Sequence, residues 1–376
     1  MRLILWGTYD TGKPRLRILR EGLRGLGVTV EEIHSNPWRG IEDKSQIRGI
    51  GLKLRIAWRW VSAYPKLIWH LIRVAKPDLI LISYPGIPDV LFASLIGRLR
   101  RIPVAWDVFL SLYDTIVEDR HLWGAKSLRA KALKATERLA LRCPEAIFMD
   151  TQAHARRIES LFSMPRGRCD AVWVGAESSV FAVQTPELKQ YDVSDKSLRV
   201  LFYGQFIPLH GIPVIIEAAR KLKNEPIEWT LIGRGQEAPR IRAMLDAEPL
   251  PKVNWIEWVT YEQLKQYITI SDICLGIFGS SEKAASVIPN KVFQIVSAGR
   301  PLITRNSDAV RELLQHVPPC TQLIAPGDPT ALADAILSFE PAKARFCHQG
   351  LQSRISEAAI GAQFVSMIKN RLMLNG

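Results

Sequence analysis

Short apolar runs alternate along the whole chain with longer segments in which apolar residues recur every three or four positions. The short runs predict buried strands, and the periodic segments predict amphipathic helices. In the first half, the predicted strands lie near Leu3–Trp6, Val28–Ile33, Asp78–Ile82, Pro103–Trp106, Ala146–Met149 and Ala171–Val174. The predicted helices of this half are Pro14–Leu26, Pro88–Leu99, Ala125–Leu141 and Ala153–Phe162. Such alternation is typical of parallel sheets covered by helices.

A polar stretch without a clear period, Val183–Ser197, separates this half from a second set of the same kind, and we interpret it as a linker. The second set has predicted strands at Leu198–Tyr203, Glu228–Ile232, Val253–Ile256, Ile273–Ile277 and Leu302–Thr304. Its predicted helices are Ile212–Leu222, Glu237–Leu245, Glu262–Ile270, Asn290–Ser297, Ala309–Leu314 and Pro329–Leu337. The pattern predicts an α/β fold of two Rossmann-like domains that face each other across a cleft.

The domain boundaries follow from the same pattern. We expect a first Rossmann-like domain over residues 1–190 and a second over 198–355. The helical pattern at 356–376 predicts a last helix that packs back toward the first domain.

The expected cellular compartment follows from features that are missing from the sequence. The first apolar run ends at Gly7 and is typical of a strand rather than of a signal peptide. No uncharged stretch reaches the roughly 18 residues of a membrane-spanning helix. Five dispersed cysteines without a CxxC pair argue against disulfides and a structural zinc site, which favours a reducing cytoplasm.

A strong positive charge indicates an anionic partner. The formal net charge is +13, and residues 44–76 contain Lys and Arg but neither Asp nor Glu. Trp and Leu are interleaved with these bases, which suits helices lying among lipid headgroups, with a break predicted at Pro65. The alternative is a helix whose apolar face is core and whose arginines are solvated. No helix-turn-helix, RRM or KH signature is present, so no nucleic-acid partner is expected.

Glycines in the second half indicate a phosphate site. Gly204 ends a predicted strand and Gly211 opens a helix, so a phosphate can approach the backbone and the positive end of the helix dipole. Gly233 and Gly235 form a second tight strand-to-helix turn. All four could instead be ordinary turn glycines.

A lysine in an unfavourable place supports the same site. Asn290 is a predicted N-cap, and Lys291 falls in the first helical turn, where a cation is disfavoured unless an anion lies beside it. We therefore expect Lys291 to bind a diphosphate and to act in catalysis, the alternative being a solvated surface lysine.

In the first half, Asp107 follows an apolar strand and should point into the cleft. We predict that it acts in catalysis as a substrate ligand; otherwise it caps the next helix. Further candidates flank it or end other strands: Tyr113, Asp114, Asp119, Arg120 and Asp150.

Several segments resemble GT-B glycosyltransferases of family four, the group 1 glycosyl transferases, and some resemble a bacterial subgroup. Those of the second half are LFYGQFIPLHGIPVIIEAA, WTLIGRGQEAPRIRAML, VNWIEWVTYEQLKQYITISDICLGIF and VIPNKVFQIVSAGRPLITRNSDAVREL. Those of the first half are GTYDTGKPRLRIL, WDVFLSLYDTIVEDR and VGAESSVF. The resemblance implies sugar transfer with retained configuration from a nucleotide sugar, UDP- or GDP-linked, without metal or other cofactor. The expected acceptor is a glycan or polyprenyl-linked molecule at the inner face of a membrane, in polysaccharide biosynthesis.

The resemblance also implies that residues 1–190 bind the acceptor and residues 198–355 bind the donor. Asp107 would then contact an acceptor hydroxyl or the transferred sugar, and the further candidates of the first half would lie on the acceptor side. At the donor site this chain departs from the family. Gln205 and His210 stand where the family usually has Arg and Lys, and Ser286 and Gln294 stand where it has paired glutamates. Gln294 is expected to contact the ribose, Val259 the base, and the pair Glu282 and Lys283 the substrate. These departures leave open a GT-B-shaped partner subunit that binds nucleotide weakly, while a sugar-nucleotide epimerase lacks its acidic catalytic pattern here.

Overall fold

The structure is a computed structural model that describes residues 1–37, 50–181, 197–340 and 347–373. It divides into two compact units. The first contains Met1–Asp150, Ala155–Trp173 and Glu357–Gly376, and the second contains Thr151–His154 and Val174–Ser356. The predicted linker, apart from residue 197, and the bases at 44 and 48 lie outside the described residues. Each unit contains one six-stranded parallel sheet, so the predicted α/β fold of two Rossmann-like domains is confirmed.

The first unit has the strand order β2-β1-β3-β4-β5-β6. Its strands are β1 (Arg2–Gly7), β2 (Thr29–His34), β3 (Leu79–Ile82), β4 (Val104–Asp107), β5 (Ala146–Met149) and β6 (Cys169–Ala171). Its helices are α1 (Pro14–Gly25), α2 (Ile50–Arg73), α3 (Ile87–Arg100), α4 (Leu128–Arg142), most of α5 (Gln152–Leu161) and α15 (Glu357–Met373), with a π-helical turn at Asp114–Asp119.

The second unit has the strand order β12-β11-β10-β7-β8-β9. Its strands are β7 (Leu198–Tyr203), β8 (Ile227–Ile232), β9 (Val253–Ile256), β10 (Ile273–Leu275), β11 (Leu302–Arg305) and β12 (Thr321–Ile324). Its helices are α6 (Ser178–Phe181), α7 (Ile212–Lys221), α8 (Ala238–Ala247), α9 (Tyr261–Ile270), α10 (Glu282–Ser286), α11 (Asn290–Ser297), α12 (Asp308–Leu313), α13 (Pro329–Leu337) and α14 (Leu351–Arg354).

Central strands are apolar at nearly every position because helices cover both faces of each sheet. All four residues of β3 are buried, and Ile4 of β1 pairs in register with Ile80. In the second unit, Phe202 of β7 is fully buried. The continuous apolar runs therefore mark the middle of each sheet.

Three elements differ from the sequence prediction. Helix α2 continues through Pro65 rather than breaking there, because Leu67 and Leu71 beyond the proline are buried in the core and Pro65 itself is exposed. Strand β6 ends at Ala171, although Val172 and Val174 are buried, so burial at this edge does not require a strand. Strand β12 was not predicted, because it is a half-buried edge strand that begins with Thr and Gln.

The last helix packs on the first. A Cβ atom added to Gly22 of α1 would overlap the carbonyl group of Glu357, and one added to Gly361 of α15 would lie 2.5 Å from the carbonyl carbon of Gly22. The two helix backbones are therefore in direct contact at this pair of glycines. Among the described helices, none has the length and apolarity needed to cross a bilayer.

The Gly22–Gly361 contact predicts a steric effect on stability. Gly361→Ala should lower the free energy of unfolding of the first unit by about 1–3 kcal/mol, because the new methyl group must push two backbones apart. The matched control is Gly25→Ala on α1, where a Cβ meets no atom within 4 Å, and it should be neutral or slightly stabilising. Thermal and urea unfolding measure both variants. Equal stability of the two would contradict the close contact.

Candidate functional site

The second unit has a topological switch point between β7 and β10. From β7 the chain continues to β8 on one side, whereas β10 pairs with β7 on the other. Ligands of open α/β sheets bind outside the carboxyl ends of the strands at such a point. Gly204 directly follows β7 there, so it lies at the expected place for a ligand.

Three predicted residues converge at this point. A Cβ atom built on Gly204 would lie 2.9 Å from Nζ of Lys291 and 3.1 Å from Cε1 of His210. The backbone of Gly204 has φ +141°, which side chains rarely adopt. A glycine is therefore needed here, and the space above it is occupied by the lysine and histidine side chains.

The ammonium group of Lys291 is buried without compensation. The residue is 5% exposed, and its Nζ has no hydrogen-bond partner among the described residues. Its Nζ lies 3.7 Å from the centre of the Phe202 ring and 5.9 Å from that of the Tyr203 ring, and both rings favour its charge. Burial lowers the pKa of this ammonium group well below its usual value. A buried cation in this state is stabilised strongly by any anion that reaches it.

His210 and Gly211 shape the same loop. His210 ends a 3₁₀ turn, Pro208–His210, and its Nδ1–H donates to the carbonyl oxygen of Gln205. Gly211 is the N-cap of α7, and a Cβ atom there would lie 2.6 Å from the backbone nitrogen of Gly279. The side chain of Gln205 is exposed. The loop is thus fixed by backbone contacts, and His210 is held in a defined orientation.

Close backbone packing requires glycine at positions 233 and 235, whether or not a ligand binds. A Cβ atom on Gly233 would overlap the carbonyl oxygen of Gly204, and one on Gly235 would lie 2.6 Å from that of Phe206. This second turn therefore supports the Gly204 loop by close backbone packing. Its predicted contact with phosphate stays a prediction.

The start of α11 differs from the prediction. Pro289, not Asn290, is the N-cap residue, and no side chain caps this helix terminus. Asn290 is helical already, because Pro289 supplies the extended backbone that precedes the first turn. The N–H groups of the first turn therefore lack an internal partner of the usual capping kind.

The short helix α10 orders the residues before this terminus. Ser281 caps it, Glu282 is exposed, and Lys283 is buried. The hydroxyl of Ser286 donates to the carbonyl oxygen of Lys283, 3.0 Å away. Ser286 is therefore engaged with its own backbone, which its hydroxyl can satisfy and a carboxylate could not.

Gln294 belongs to a short polar chain. Its amide Nε2 donates to the hydroxyl of Tyr261 at 3.4 Å, and that hydroxyl donates to Glu177 at 2.5 Å. A carboxylate thus lies two hydrogen bonds from the position where the related enzymes carry glutamate. Val259 lies half-buried in the loop between β9 and α9, before the N-cap residue Thr260.

Arg305 is a site residue that the pattern did not single out. It ends β11, is buried, and donates to the carbonyl oxygens of Gly279 and Ser281. Burial lowers the pKa of its guanidinium, and Glu282 opposes that change. The sequence feature that could have identified it is an arginine at the end of an apolar strand.

In the first unit, Asp107 is placed differently from the prediction. It is 1% exposed, and both carboxylate oxygens lie 2.8 Å from Nε of Arg15. Burial raises the pKa of this carboxyl group, and Arg15 acts in the opposite direction. The guanidinium of Arg15 also donates to the carbonyl oxygens of Val172 and Met149. This buried ion pair argues against an acceptor hydroxyl on Asp107, and Asp107 does not cap a helix.

The other predicted acceptor-side residues lie in or beside the π-helical turn, apart from Asp150, which follows β5. Asp114 is paired with Arg157 at 2.6 Å, while Tyr113, Asp119 and Asp150 are buried. Glu137 of α4 was not predicted; it accepts the backbone N–H groups of Leu112 and Tyr113. Burial raises the pKa of Glu137 to about 7. Arg120 follows the turn.

Comparison with known proteins identifies the family. Residues 12–175 match the glycosyl transferase 4-like domain, and residues 197–339 match the family described as glycosyl transferases group 1. The chain belongs to the group 1 glycosyltransferases. The predicted membership of this family is thereby confirmed.

Solved structures of this fold align over nearly the whole enzyme. Sucrose-phosphate synthase of Thermosynechococcus elongatus aligns with TM-score 0.69 and 16% identity over 100% of both chains. HepE of Anabaena in complex with UDP aligns with TM-score 0.67 and 13% identity, over 98% of this chain and 99% of that one. At these identities the likeness concerns the GT-B fold alone.

A curated relative works in polysaccharide biosynthesis. The amylovoran biosynthesis glycosyltransferase AmsK of Erwinia amylovora is 27% identical over 185 residues. The matched stretch is 48% of this chain and 44% of that protein, so it spans less than half of either.

The isolated ammonium of Lys291 predicts a gain of stability on its removal. Lys291→Met should raise the free energy of unfolding without ligand by about 1–3 kcal/mol, because methionine fills the site without a buried charge. The gain should shrink as pH rises toward the pKa of an unfolded lysine, since the buried ammonium loses its proton at lower pH than the unfolded one.

Denaturant unfolding at several pH values measures this difference. Lys221→Met, on an exposed lysine of the same unit, is the control and should change stability by less than about 0.5 kcal/mol. A loss of stability in Lys291→Met at neutral pH would show that the ammonium has a partner in the free protein.

Proposed function

We propose that this enzyme transfers a sugar from a UDP- or GDP-sugar to a lipid-linked or polysaccharide acceptor at the inner face of a membrane. The observation that carries the proposal is the buried ammonium of Lys291, without a partner among the described residues, beside Gly204 at the switch point. An anion at this point would turn an electrostatic cost into a charge-assisted contact. The diphosphate of a nucleotide sugar has the charge and the position that this requires.

The donor diphosphate in this proposal is bound by three groups. The backbone at Gly204 allows close approach, the uncapped first turn of α11 offers N–H groups, and Lys291 supplies the charge. His210 lies against the same point and adds a hydrogen-bonding ring. The arrangement offers an imidazole ring where the family resemblance implies a Lys side chain.

The same groups support the chemical step. As the bond between the anomeric carbon and the diphosphate oxygen breaks, negative charge grows on the leaving oxygen, and Lys291 and the α11 N–H groups stabilise it. The acceptor oxygen forms its new bond on the face that the diphosphate leaves, and its proton passes to the leaving phosphate oxygen. The configuration is retained, and neither a separate base nor a metal is required.

The nucleoside is proposed to lie over the start of α9 and along α11. Gln294, oriented by Tyr261 and Glu177, offers its amide to ribose hydroxyls, and the backbone near Val259 offers contacts to the base. A solved structural neighbour contains UDP, which supports a uridine or similar nucleotide.

A nucleotide-binding partner subunit is the second candidate. Ser286 favours it, because its hydroxyl is bound to its own helix where related enzymes carry a carboxylate. Such a protein would bind nucleotide but release no sugar. Product analysis with a UDP- or GDP-sugar distinguishes the two, since nucleotide release with a matching acceptor is expected only of the transferase.

Nucleotide binding tests the diphosphate site. Titration calorimetry with UDP and GDP in buffers of different ionisation enthalpy should show proton uptake, because the bound diphosphate raises the lowered pKa of Lys291. Lys291→Met should weaken binding at least about tenfold and abolish that uptake. The control Lys221→Met should keep both. Unchanged affinity in Lys291→Met, or no binding of any nucleoside diphosphate to the wild type, would overturn the proposal.

The membrane contact is proposed to lie on α2 and α3. The exposed apolar residues of α2 are Trp58, Val61, Trp69 and Ile72, and those of α3 are Phe92, Leu95 and Leu99. Trp58 is 71% exposed and Leu99 is 78% exposed. The two helices meet where the rings of Tyr64 and Phe92 lie 4.8 Å apart. Exposed apolar side chains on a helix that contains Lys and Arg but neither Asp nor Glu, as α2 does, suit an anionic lipid surface.

Vesicle binding tests this surface. Replacing Arg55, Arg59 and Lys66 by Glu should release the enzyme from vesicles containing phosphatidylglycerol, because each base near an anionic surface contributes about 1 kcal/mol. Replacing Lys221, Arg240 and Lys252 by Glu makes the same change of charge in the second unit and should leave binding nearly intact. Co-sedimentation measures the vesicle-bound fraction of both variants. Equal bound fractions would contradict the proposed membrane contact on α2 and α3.

A further inference from the structure

Two buried cysteines of the second unit lie in contact with each other. Cys320 directly precedes β12 and is 7% exposed, and Cys347 precedes α14 and is 4% exposed. The S–H group of Cys347 donates a hydrogen bond to the sulfur of Cys320. Both are free thiols, and we call these two residues the thiol pair. Because they are far apart in the sequence, no local motif connects them.

The backbone around the thiol pair attaches both cysteines to the same part of the sheet. The carbonyl oxygen of Cys320 accepts the N–H of Leu302, the first residue of β11, at 3.0 Å. His348, which follows Cys347, donates its Nε2–H to the carbonyl oxygen of Arg300 at 2.8 Å. Arg300 and Leu302 lie close together where α11 leads into β11. The two sulfurs are therefore brought together by ordinary hydrogen bonds of the fold.

The surroundings of Cys320 favour a thiolate. Three donors reach its sulfur: the S–H of Cys347, the backbone N–H of His348 and the hydroxyl of Thr321. This hydroxyl is buried and otherwise has no hydrogen-bond partner among the described residues. The hydrogen bond from Cys347 lowers the pKa of the Cys320 thiol below its usual value, although burial opposes it. Cys320 is therefore the nucleophile of the pair.

Cys347 has the opposite character. Its hydrogen bond to Cys320 raises the pKa of its thiol, and burial raises it further. The guanidinium of Arg300 acts in the other direction. Cys347 thus keeps its proton until Cys320 has reacted, and Arg300 then favours its thiolate. A nucleophilic thiol beside a second thiol that can resolve the oxidised product is typical of redox-responsive cysteines.

A third cysteine lies near the pair but is not suited to the same chemistry. Cys274 of β10 acts electrostatically on Cys347, which places the two near each other. It is fully buried, and burial raises the pKa of its thiol to about 12. At neutral pH it remains a protonated, poorly reactive thiol. Cys274 therefore serves as a matched control for the thiol pair.

The thiol pair lies just beneath the surface of the second unit. Pro319 and Gln349, which lie beside it in the chain, are exposed. A small oxidant such as hydrogen peroxide can reach Cys320 by a local movement of these residues. A bulky oxidant such as glutathione disulfide must displace the covering chain. The burial of the pair therefore selects for a small oxidant.

We propose that Cys320 and Cys347 form a modification site for hydrogen peroxide, which converts the thiol pair into a reversible disulfide. This inference goes beyond the proposed function and does not depend on it. Dithiol reductants restore the two thiols by exchange through a mixed disulfide. Disulfides that form in reducing compartments are usually transient and serve redox sensing, which agrees with a pair that is reduced in the structure.

The oxidation proceeds in two steps. The Cys320 thiolate attacks one oxygen of hydrogen peroxide, the O–O bond breaks, and the departing hydroxide takes up a proton to become water. Cys320 is then a sulfenic acid. The sulfur of Cys347, on losing its proton, attacks the sulfenic sulfur, the S–O bond breaks, and the hydroxide leaves with that proton as a second water molecule. In total, two thiols and one hydrogen peroxide give one disulfide and two water molecules.

The disulfide would fasten the segment before α14 to the start of β12. This segment already supports α11, since the side-chain amide of Gln352 donates to the carbonyl oxygens of Val296 and Cys347. A covalent link between distant parts of the chain restricts the unfolded state, so oxidation should stabilise the second unit. The helix that carries Lys291 would thereby be held more firmly at its last turn.

Mass spectrometry of the full chain after peroxide treatment tests the proposal. A digest without reductant should contain a peptide cross-linked through Cys320 and Cys347, and dithiothreitol should remove it. Cys347→Ala should instead trap a sulfenic acid at Cys320, which dimedone labels, whereas Cys320→Ala should leave Cys347 unlabelled. The control Cys274→Ala should keep the cross-link. A disulfide through Cys274, or only sulfinic acid at Cys320, would overturn the assignment.

Thermal unfolding provides a second readout that does not depend on peptide detection. Oxidation should raise the melting temperature of the second unit in the wild type by about 5–10 °C. The same treatment should leave that of Cys320→Ala unchanged, and Cys274→Ala should respond like the wild type. The absence of a shift together with the absence of the cross-linked peptide would refute the site. Equally fast oxidation by glutathione disulfide would refute hydrogen peroxide as its specific oxidant.

Discussion

The buried ammonium of Lys291 constrains the packing of the residues around it in the second unit. A lysine that is 5% exposed, without a hydrogen-bond partner among the described residues, costs stability in the free protein. The fold tolerates this cost because Phe202 provides a ring for the cation and Gly204 leaves room for it. The packing of Gly233 on Gly204 then fixes the loop from the other side. The buried ammonium lowers the stability of the free protein, and a bound anion would restore it. Such a local loss of stability is common at functional sites.

In the first unit, two buried carboxylates are instead paired with arginines: Asp107 with Arg15, and Asp114 with Arg157. These pairs connect strands and helices that are far apart in the chain. The two units therefore differ in their electrostatics: the second contains a buried cation without a hydrogen-bond partner among the described residues, whereas these two carboxylates of the first have one.

The fold was largely readable from the sequence, because apolar runs of parallel sheets and periodic helices are strong local signals. The convergence of Gly204 and Lys291 was also predictable, since parallel topology brings the ends of β7 and β10 together. The ion pair of Asp107 was not predictable, because its partner Arg15 lies 92 positions away on a helix and no local pattern connects them. Asn290 was misplaced as a cap because proline and asparagine both suit that terminus. The helix through Pro65 escaped prediction since tertiary burial outweighed a local breaker.

The contact between Gly22 and Gly361 has a consequence for how the chain matures in the cell. Helix α15 completes the first unit, yet it is synthesised only after the whole second unit. During translation the first unit stays incomplete until α15 has been synthesised. Until then, the surface that α15 covers is exposed to water and to chaperones. The second unit has all its strands before that moment. The part of the protein made first is thus the part finished last, and an early stop that spares the second unit would still damage the first.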